Sequence, residues 1–594
     1  MVKYLYTFLL FSTIKMTVDK KEILIVMLLL TLFLFQSFIV MRSTSLTFDD
    51  PAIMTIGYYF WKYKDTSMHL FHPTFSFLLG GFPMLFFDVN LPYSYQECKD
   101  KGIYRCADDL MFRAGNYTES LGFHSRVPFI IASLFLALLV FFFAKELYGI
   151  KAGIFALALY SFSPSILAYN TLIFTDLIVA LFIFSTIYFL WKLVVQGYTA
   201  TRLIAAGISL GLALASKFTA VMLLPIIALI VIVKIFKSKN RKKQLKTFSV
   251  YFALMALLAF AVLHATYFFD ANTIANSIPE RNLKDIEKFL DEKFNENSIG
   301  KKIAGFLAYD LKMPMPVYIA GFAGQNLIQS QKIRKSYLNG EIYAGGKWYY
   351  FFEVLLIKTP IPLLMFFIAS LFQIKKKTNI NSLFVLLPII VFFSIFIRVN
   401  FNLGLRHILP IIPFMFVFSS QAVNLKFKDT AHNLILKMSI ALLLAWYIIS
   451  ALLVMPNYMA YFNEFVGIEN GHKYLLSSNL DQGQDLKGLS EYLKSNEITQ
   501  VKLSYHGTFD PAYYNISYEL LPMESYIAWG AGYTLDDPPK SYKEDCSKKH
   551  GILAVSISNL HNFNLINESC FDWLGNYNPI ARIGYTIYIY NITK

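Results

Sequence analysis

The chain has 594 residues, 56 % of them hydrophobic and only 16 % charged, with a formal net charge of +15 and a mean hydropathy of +0.47. A water-exposed multidomain chain would carry about a quarter charged residues, so that class is excluded. The basic excess does not point to nucleic acid. Its densest run, KIFKSKNRKKQLK at 234–246, lies between two apolar blocks and reads as a cytoplasmic loop that fixes topology, with attraction to anionic headgroups secondary.

The apolar residues fall in blocks of roughly 17–25, the length of helix that crosses about 30 Å of hydrocarbon. Residues 1–21 are expected to form a cytoplasmic N-terminus. Its opening, MVKYLYTFLLFSTIK, is too short to span; it is either a leader or lies upstream of a start at Met16. Eleven spans are expected at about 22–41, 127–146, 151–169, 176–196, 202–216, 218–236, 248–268, 349–373, 382–398, 408–424 and 435–455. Lys15, Lys20 and Lys21, then Lys145 and Lys151, Lys192 and Arg202, the basic run, Lys375 to Lys377, and Lys426, Lys428 and Lys437 all fall on one side of an N-terminus-in arrangement. Residues 22–455 thus read as a helical polytopic membrane domain with outer loops 42–126 and 269–348. An odd span count leaves 456–594 outside. That tail mixes apolar strands, GILAVSISNL and RIGYTIYIYN, with a polar helical stretch, DLKGLSEYLKSN, and is expected to be an extracytoplasmic α/β domain.

The four cysteines, Cys98 and Cys106 in the first outer loop and Cys546 and Cys570 in the tail, form two local pairs on the outer side. They suggest two disulfides in an oxidising compartment, free thiols being the alternative. The N-x-Ser/Thr sequons at Asn116, Asn515, Asn567 and Asn591 fall on the same side.

Ionisable residues at membrane depth are costly and are functional candidates by default. At the outer edge these are Asp49, Asp50, His69, His72, Arg126, Asp176, Lys217, Arg398, Arg406 and His407. Carboxylates mixed with cations at this depth suit a lipid substrate bearing a phosphate. Lys, Arg or His would neutralise the phosphate, and one carboxylate would deprotonate an acceptor hydroxyl. A lipid phosphate is already a good leaving group, so its departure needs cations more than a protonating acid. Pro51 suits the first turn of a helix. AIMTIGYYFWKYK then reads as an amphipathic helix in the interface, with Tyr58, Tyr59 and Trp61 at headgroup level, and Asp50 either caps it or shares the chemistry. The histidines of HLFHP could hold a metal if helical, contact a headgroup, or be ordinary interfacial residues; Pro73 works against the first.

FDDPAIMTIGYYF resembles the Asp-Glu-Pro-x-His…Gly-Tyr opening of glycosyltransferase family 39, the dolichyl-phosphate-mannose–protein mannosyltransferases and their prokaryotic relatives in the GT-C superfamily. HLFHPTF, SPSILAYNTLIFTD, GLALASKFTAVMLLP, SYLNGEIYAGGKWYYFFEVLLIKTPIPLL, NFNLGLRHILP, AYFNEFVG, SSNLDQGQDLK and SYHGTFDPAYY follow in the family's order. The resemblance implies a GT-C fold and Asp49 as general base, with Asp50 standing where the family usually has Glu. It puts His72 near the carrier phosphate or acceptor, Asp176 in the cavity wall, and Lys217 and Arg406 as phosphate contacts. Ile53 stands where the family has His, Thr74 where it has the second Pro of His-Pro-Pro, and Asp481 to Gln484 read Asp-Gln-Gly-Gln for Asp-Trp-Gly-Gln. The Trp-Trp-Asp-Tyr-Gly motif of the oligosaccharyltransferase subunit is absent from the sequence, and the central outer loop is too short for the β-trefoil of eukaryotic mannosyltransferases. Dense Lys, Ile and Asn fit an AT-rich, archaeal genome.

The expectation is an integral membrane enzyme moving a sugar, such as mannose, from a polyprenyl- or dolichyl-phosphate carrier to a hydroxyl of a protein, lipid or glycan, with inversion. Asp49 acts as base and cations among His72, Arg126, Lys217, Arg406 and His407 hold the phosphate. No cofactor or metal is required, and nucleic acid is not a partner. The rival is a lipid or solute transporter, which would place ionisable residues near the bilayer midplane.

Overall fold

The computed structural model describes residues 19–293, 298–330, 335–373, 380–427, 429–523, 545–563, 565 and 567–593. The opening segment with Met16 and Lys15, and Lys375 to Lys377 and Lys428, lie outside the described residues. Each expected span has a helical counterpart. Seven helices are long and apolar enough to cross a membrane: Lys20–Ser43, Thr118–Tyr148, Thr175–Val195, Phe218–Phe236, Arg241–Thr266, Leu405–Asn424 and Thr430–Val454. Ile150–Ser161, Ala200–Ser216 and Ile380–Phe396 are apolar but shorter. The chain is an integral membrane protein.

The eighth expected span, 349–373, is not one straight helix. Tyr350–Lys358 and Ile361–Leu371 meet at 112°. The cause is local. Pro360 has no N–H to continue the ladder, and Pro362 fits only the first turn of a new helix. The third expected span is broken too, at Ser163, whose hydroxyl accepts from Ile166 N and caps Pro164–Tyr169.

The helix after Asp49, Asp50–Tyr63, has no exposed apolar face over most of its length. Every residue from Asp50 to Phe60 is buried. It crosses Phe75–Gly81 at a glycine contact, where a Cβ on Gly57 would lie 1.8 Å from the Phe77 carbonyl oxygen. Its apolar pattern therefore served packing on several sides, which amphipathicity alone does not reveal.

The tail carries a five-stranded mixed sheet in the order Tyr518–Leu520, Val501–Ser504, Gly551–Ser556, Ile587–Ile592, Ala581–Ile583. Val501–Ser504 runs parallel to both neighbours, and the last three strands are antiparallel. Helix Leu486–Ser495 buries Leu486, Leu489 and Leu493, an i, i+3, i+7 stripe. Cys98 is bonded to Cys106, and Cys546 to Cys570.

Candidate active site

The segment between the first span and Asp49 is stapled to the tail. Ser45 N donates to Gln484 O at 3.0 Å, and Phe48 N to Gln482 O at 2.9 Å. Ser45 Oγ donates to Gly483 O, and Thr508 Oγ1 to Phe48 O at 2.6 Å. These bonds hold Asp49 where the membrane helices meet the tail. Asp49 is half-buried, and one of its oxygens accepts from Tyr104 Oη at 3.3 Å.

Asp49 opens onto a narrow cleft whose polar lining also includes Asp176, Arg406, Tyr169, Ser478 and Gln482. Arg406 lies over the Phe174 ring, 5.0 Å from its centroid. Among the described residues its guanidinium makes no ion pair, and its buried Nε has no hydrogen-bond partner. Asp176 is paired instead with Lys217, 2.5 Å away, and both are buried. Burial pushes the Asp49 carboxyl above its ordinary range. Arg406 opposes that, Asp50 and Asp176 reinforce it, and the Tyr104 hydroxyl opposes it weakly.

The two adjacent aspartates have separated. Asp49 occupies the N-cap position, yet its side chain makes no cap hydrogen bond. Asp50, expected either to cap the helix or to share the chemistry, is not among the residues that line the cleft. It is 1 % exposed and accepts from Thr47 N and Ile173 N, each at 2.9 Å. Its charge faces Arg126 at 3.5 Å. Arg126 is expected among the cations at the phosphate. It is buried and donates to the carbonyls of Met41, Thr44 and Ser45, holding the entry loop.

Lys217 is a partner of Asp176 and does not itself line the cleft. His407 also lies off the cleft, with its ring among Phe351, Phe396 and Phe401. His72 packs edge-to-face with Phe174, with ring centroids 5.6 Å apart, and does not itself line the cleft. The HLFHP segment is not helical, and the His69 and His72 rings are 6.0 Å apart. His69 packs on Phe77, and burial lowers its pKa to about 4, which keeps it neutral. Arg398 is exposed. Among the described residues no group of three or more His, Cys, Asp and Glu converges as metal ligands would.

Sequence reasoning missed Tyr104, Tyr169, Ser478 and Gln482. Uncharged polar side chains carry no burial signature in a sequence. The only signal was the likeness of SSNLDQGQDLK and SPSILAYN to family segments.

Residues 118–265 match the family model described as dolichyl-phosphate-mannose-protein mannosyltransferase. The match includes Asp176 and Lys217 and ends short of Arg406. No curated protein matches the sequence. Among solved structures, the chain is similar to ArnT from Cupriavidus metallidurans bound to undecaprenyl phosphate, at 11 % identity and a TM-score of 0.48 over 95 % of this chain and 97 % of that one. It is also similar to the archaeal oligosaccharyltransferase AglB from Archaeoglobus fulgidus in complex with an inhibitory peptide and a dolichol-phosphate, at 14 % identity and a TM-score of 0.42 over 88 % of this chain and 62 % of that one. A third is the S. cerevisiae protein O-mannosyltransferase Pmt1–Pmt2 complex bound to the sugar donor, at 16 % identity and a TM-score of 0.30 over 43 % of this chain and 34 % of that one. The family match spans about a quarter of the chain, and over residues 118–265 the protein is similar to the dolichyl-phosphate-mannose-protein mannosyltransferases.

Proposed function

We propose that the protein transfers a sugar from a polyprenyl-phosphate carrier to an acceptor hydroxyl, with Asp49 as the base and Arg406 as the phosphate contact. The observation that supports this most directly is the single cleft bearing a half-buried carboxylate and a guanidinium with no ion-pair partner among the described residues. The acceptor oxygen attacks the anomeric carbon as its proton passes to an Asp49 oxygen. The bond from that carbon to the phosphate oxygen breaks, and the carrier leaves as a phosphate monoester. Attack opposite the leaving group inverts the anomeric centre. Arg406 meets the charge that grows on the phosphate, where a preorganised cation acts most strongly. The guanidinium fulfils that role without a metal, so chelator is expected to leave transfer intact.

Mannose is the sugar that the family description favours, and a hydroxyl of protein, lipid or glycan is the acceptor class. The paired cysteines and the outer-side sequons support a cytoplasmic N-terminus and an extracytoplasmic tail. The test is Asp49→Asn in purified protein supplied with a polyprenyl-phosphate sugar. Transfer is expected to vanish while thermal unfolding stays that of the parent; turnover at the parent rate would remove Asp49 from the reaction.

A further inference from the structure

A turn of the tail, Ser477–Asn479, is bonded into the membrane domain at several points. Ser478 Oγ donates to Leu403 O, and Tyr169 Oη donates to Ser478 O at 2.8 Å. Asn479 Oδ1 accepts from Leu405 N at 3.0 Å, and its amide nitrogen reaches Tyr350 Oη at 3.3 Å. Lys358, buried and without a carboxylate partner among the described residues, donates to Asn479 O at 2.7 Å and Met459 O at 2.9 Å. Between Leu403 and Leu405 stands Gly404, at φ +98°, where a Cβ would lie 2.2 Å from Asn479 Oδ1. Only glycine adopts that backbone readily and admits the Asn479 side chain so close. The residue after Leu405 is Arg406.

We propose that Asn479 is a positioning residue: from the tail, it fixes the turn that aims Arg406 into the cleft. This rests on the function proposed for the cleft. Among the described residues no charged side chain is hydrogen-bonded to the Arg406 backbone. Its turn is set by a neutral amide from the other part of the chain, so the tail and the phosphate site are mechanically one unit. Movement of the Ser477–Asn479 turn would displace Arg406 and open the cleft's lining at Ser478 together.

A merely structural residue would alter stability alone. A residue that aims Arg406 also alters what Arg406 does to Asp49, which faces Arg406, Asp50, Asp176 and Tyr104. Arg406 favours the ionised carboxylate. Withdrawing the guanidinium must therefore move the acidic limb of the pH–rate profile to higher pH.

The experiment uses the full-length protein in detergent or nanodiscs. It measures equilibrium binding of polyprenyl phosphate and the pH–rate profile for the parent, Arg406→Gln and Asn479→Ala. Asn479→Ala is expected to weaken carrier binding about tenfold, the effect of losing one buried hydrogen bond that orients a charged group. It should also shift the acidic limb in the same direction as Arg406→Gln. A folded Asn479→Ala with parental binding and an unmoved limb overturns the proposal. If that variant does not fold, Tyr350→Phe, which removes one of the two hydrogen bonds of the Asn479 amide nitrogen and leaves the one to Leu476 O, is read in its place. A smaller shift in the same direction supports the proposal, and an unmoved limb overturns it. Failure of the cleft reading would show separately, as an unmoved limb and parental carrier binding in Arg406→Gln itself, and the inference would fall with it.

Discussion

Lys217 Nζ lies 2.5 Å from Asp176 Oδ1, and both side chains are buried beside the cleft. The pair neutralises one of the two carboxylates that line it and leaves Arg406 facing Asp49 and, under the proposed function, the phosphate. Replacing Lys217 by Met strands a carboxylate that repels phosphate and competes for Arg406. The donor KM is expected to rise about tenfold or more, the scale of one unpaired charge. Adding Asp176→Asn should return part of that loss, because the two groups are directly coupled. Donor titrations of the single and double variants check this, and strictly additive losses would show that the pair does not govern donor binding.

The pH dependence follows from Asp49. Burial raises its pKa, so the carboxylate form is lost at a higher pH than for an exposed aspartate. A base works only when ionised, and so activity should fall as pH drops through that raised value and hold above it. The sign is testable with kcat/KM across mildly acidic buffers, corrected for stability at each pH. Full activity retained down to the range of an exposed carboxylate, near ~3.9, would contradict the assignment of Asp49.

Asp50 and Arg126 are predicted to matter for folding rather than turnover. Their charges face each other in a site almost without water, at 1 % and 3 % exposure. Removing one partner of such a pair costs about 3–5 kcal/mol, because the other charge stays buried. Arg126→Met should therefore lower the unfolding temperature sharply. Asp50→Asn in the same chain should recover part of that loss. At a temperature where each variant stays folded, transfer should fall far less than for Asp49→Asn.

The membrane fold and part of the cleft were legible because charge in lipid is costly. Asp49, Asp176 and Arg406 stood out against apolar surroundings, and the structure brings them to one lining. The cost of a charge does not say which partner settles it. Arg126 and Lys217, expected at the phosphate, are found paired with Asp50 and Asp176, and the sequence does not show those pairings. Asn479 and Gln482 were invisible as site residues, since their part depends on backbone groups from distant segments. The helix Asp50–Tyr63 was legible as a helix from Pro51 onward. Its burial was not, because the surface that covers it meets it through glycines that leave no hydrophobic periodicity.

That glycine contact yields the last prediction. Gly57 and Gly81 bring Asp50–Tyr63 and Phe75–Gly81 close enough that a Cβ on Gly57 meets the Phe77 carbonyl oxygen at 1.8 Å, and one on Gly81 meets the Gly57 carbonyl carbon at 2.2 Å. The obstructing atoms are backbone, which cannot rotate aside as a side chain would. Gly57→Ala must therefore push the two helices apart. Overpacking of this kind costs about 1–3 kcal/mol, and more where the neighbour is rigid. Asp49 is the N-cap of Asp50–Tyr63, so the displacement also moves Asp49 relative to Arg406. The expected result is a lower unfolding temperature together with a loss of kcat, both from a substitution that touches no lining residue of the cleft. Gly551→Ala, at the start of a tail strand with open space around its Cβ, is the comparison. It carries the strain of a positive φ but no collision, and should destabilise without changing kcat. Equal effects of the two on kcat would show that the packing of Gly57 does not set the position of Asp49.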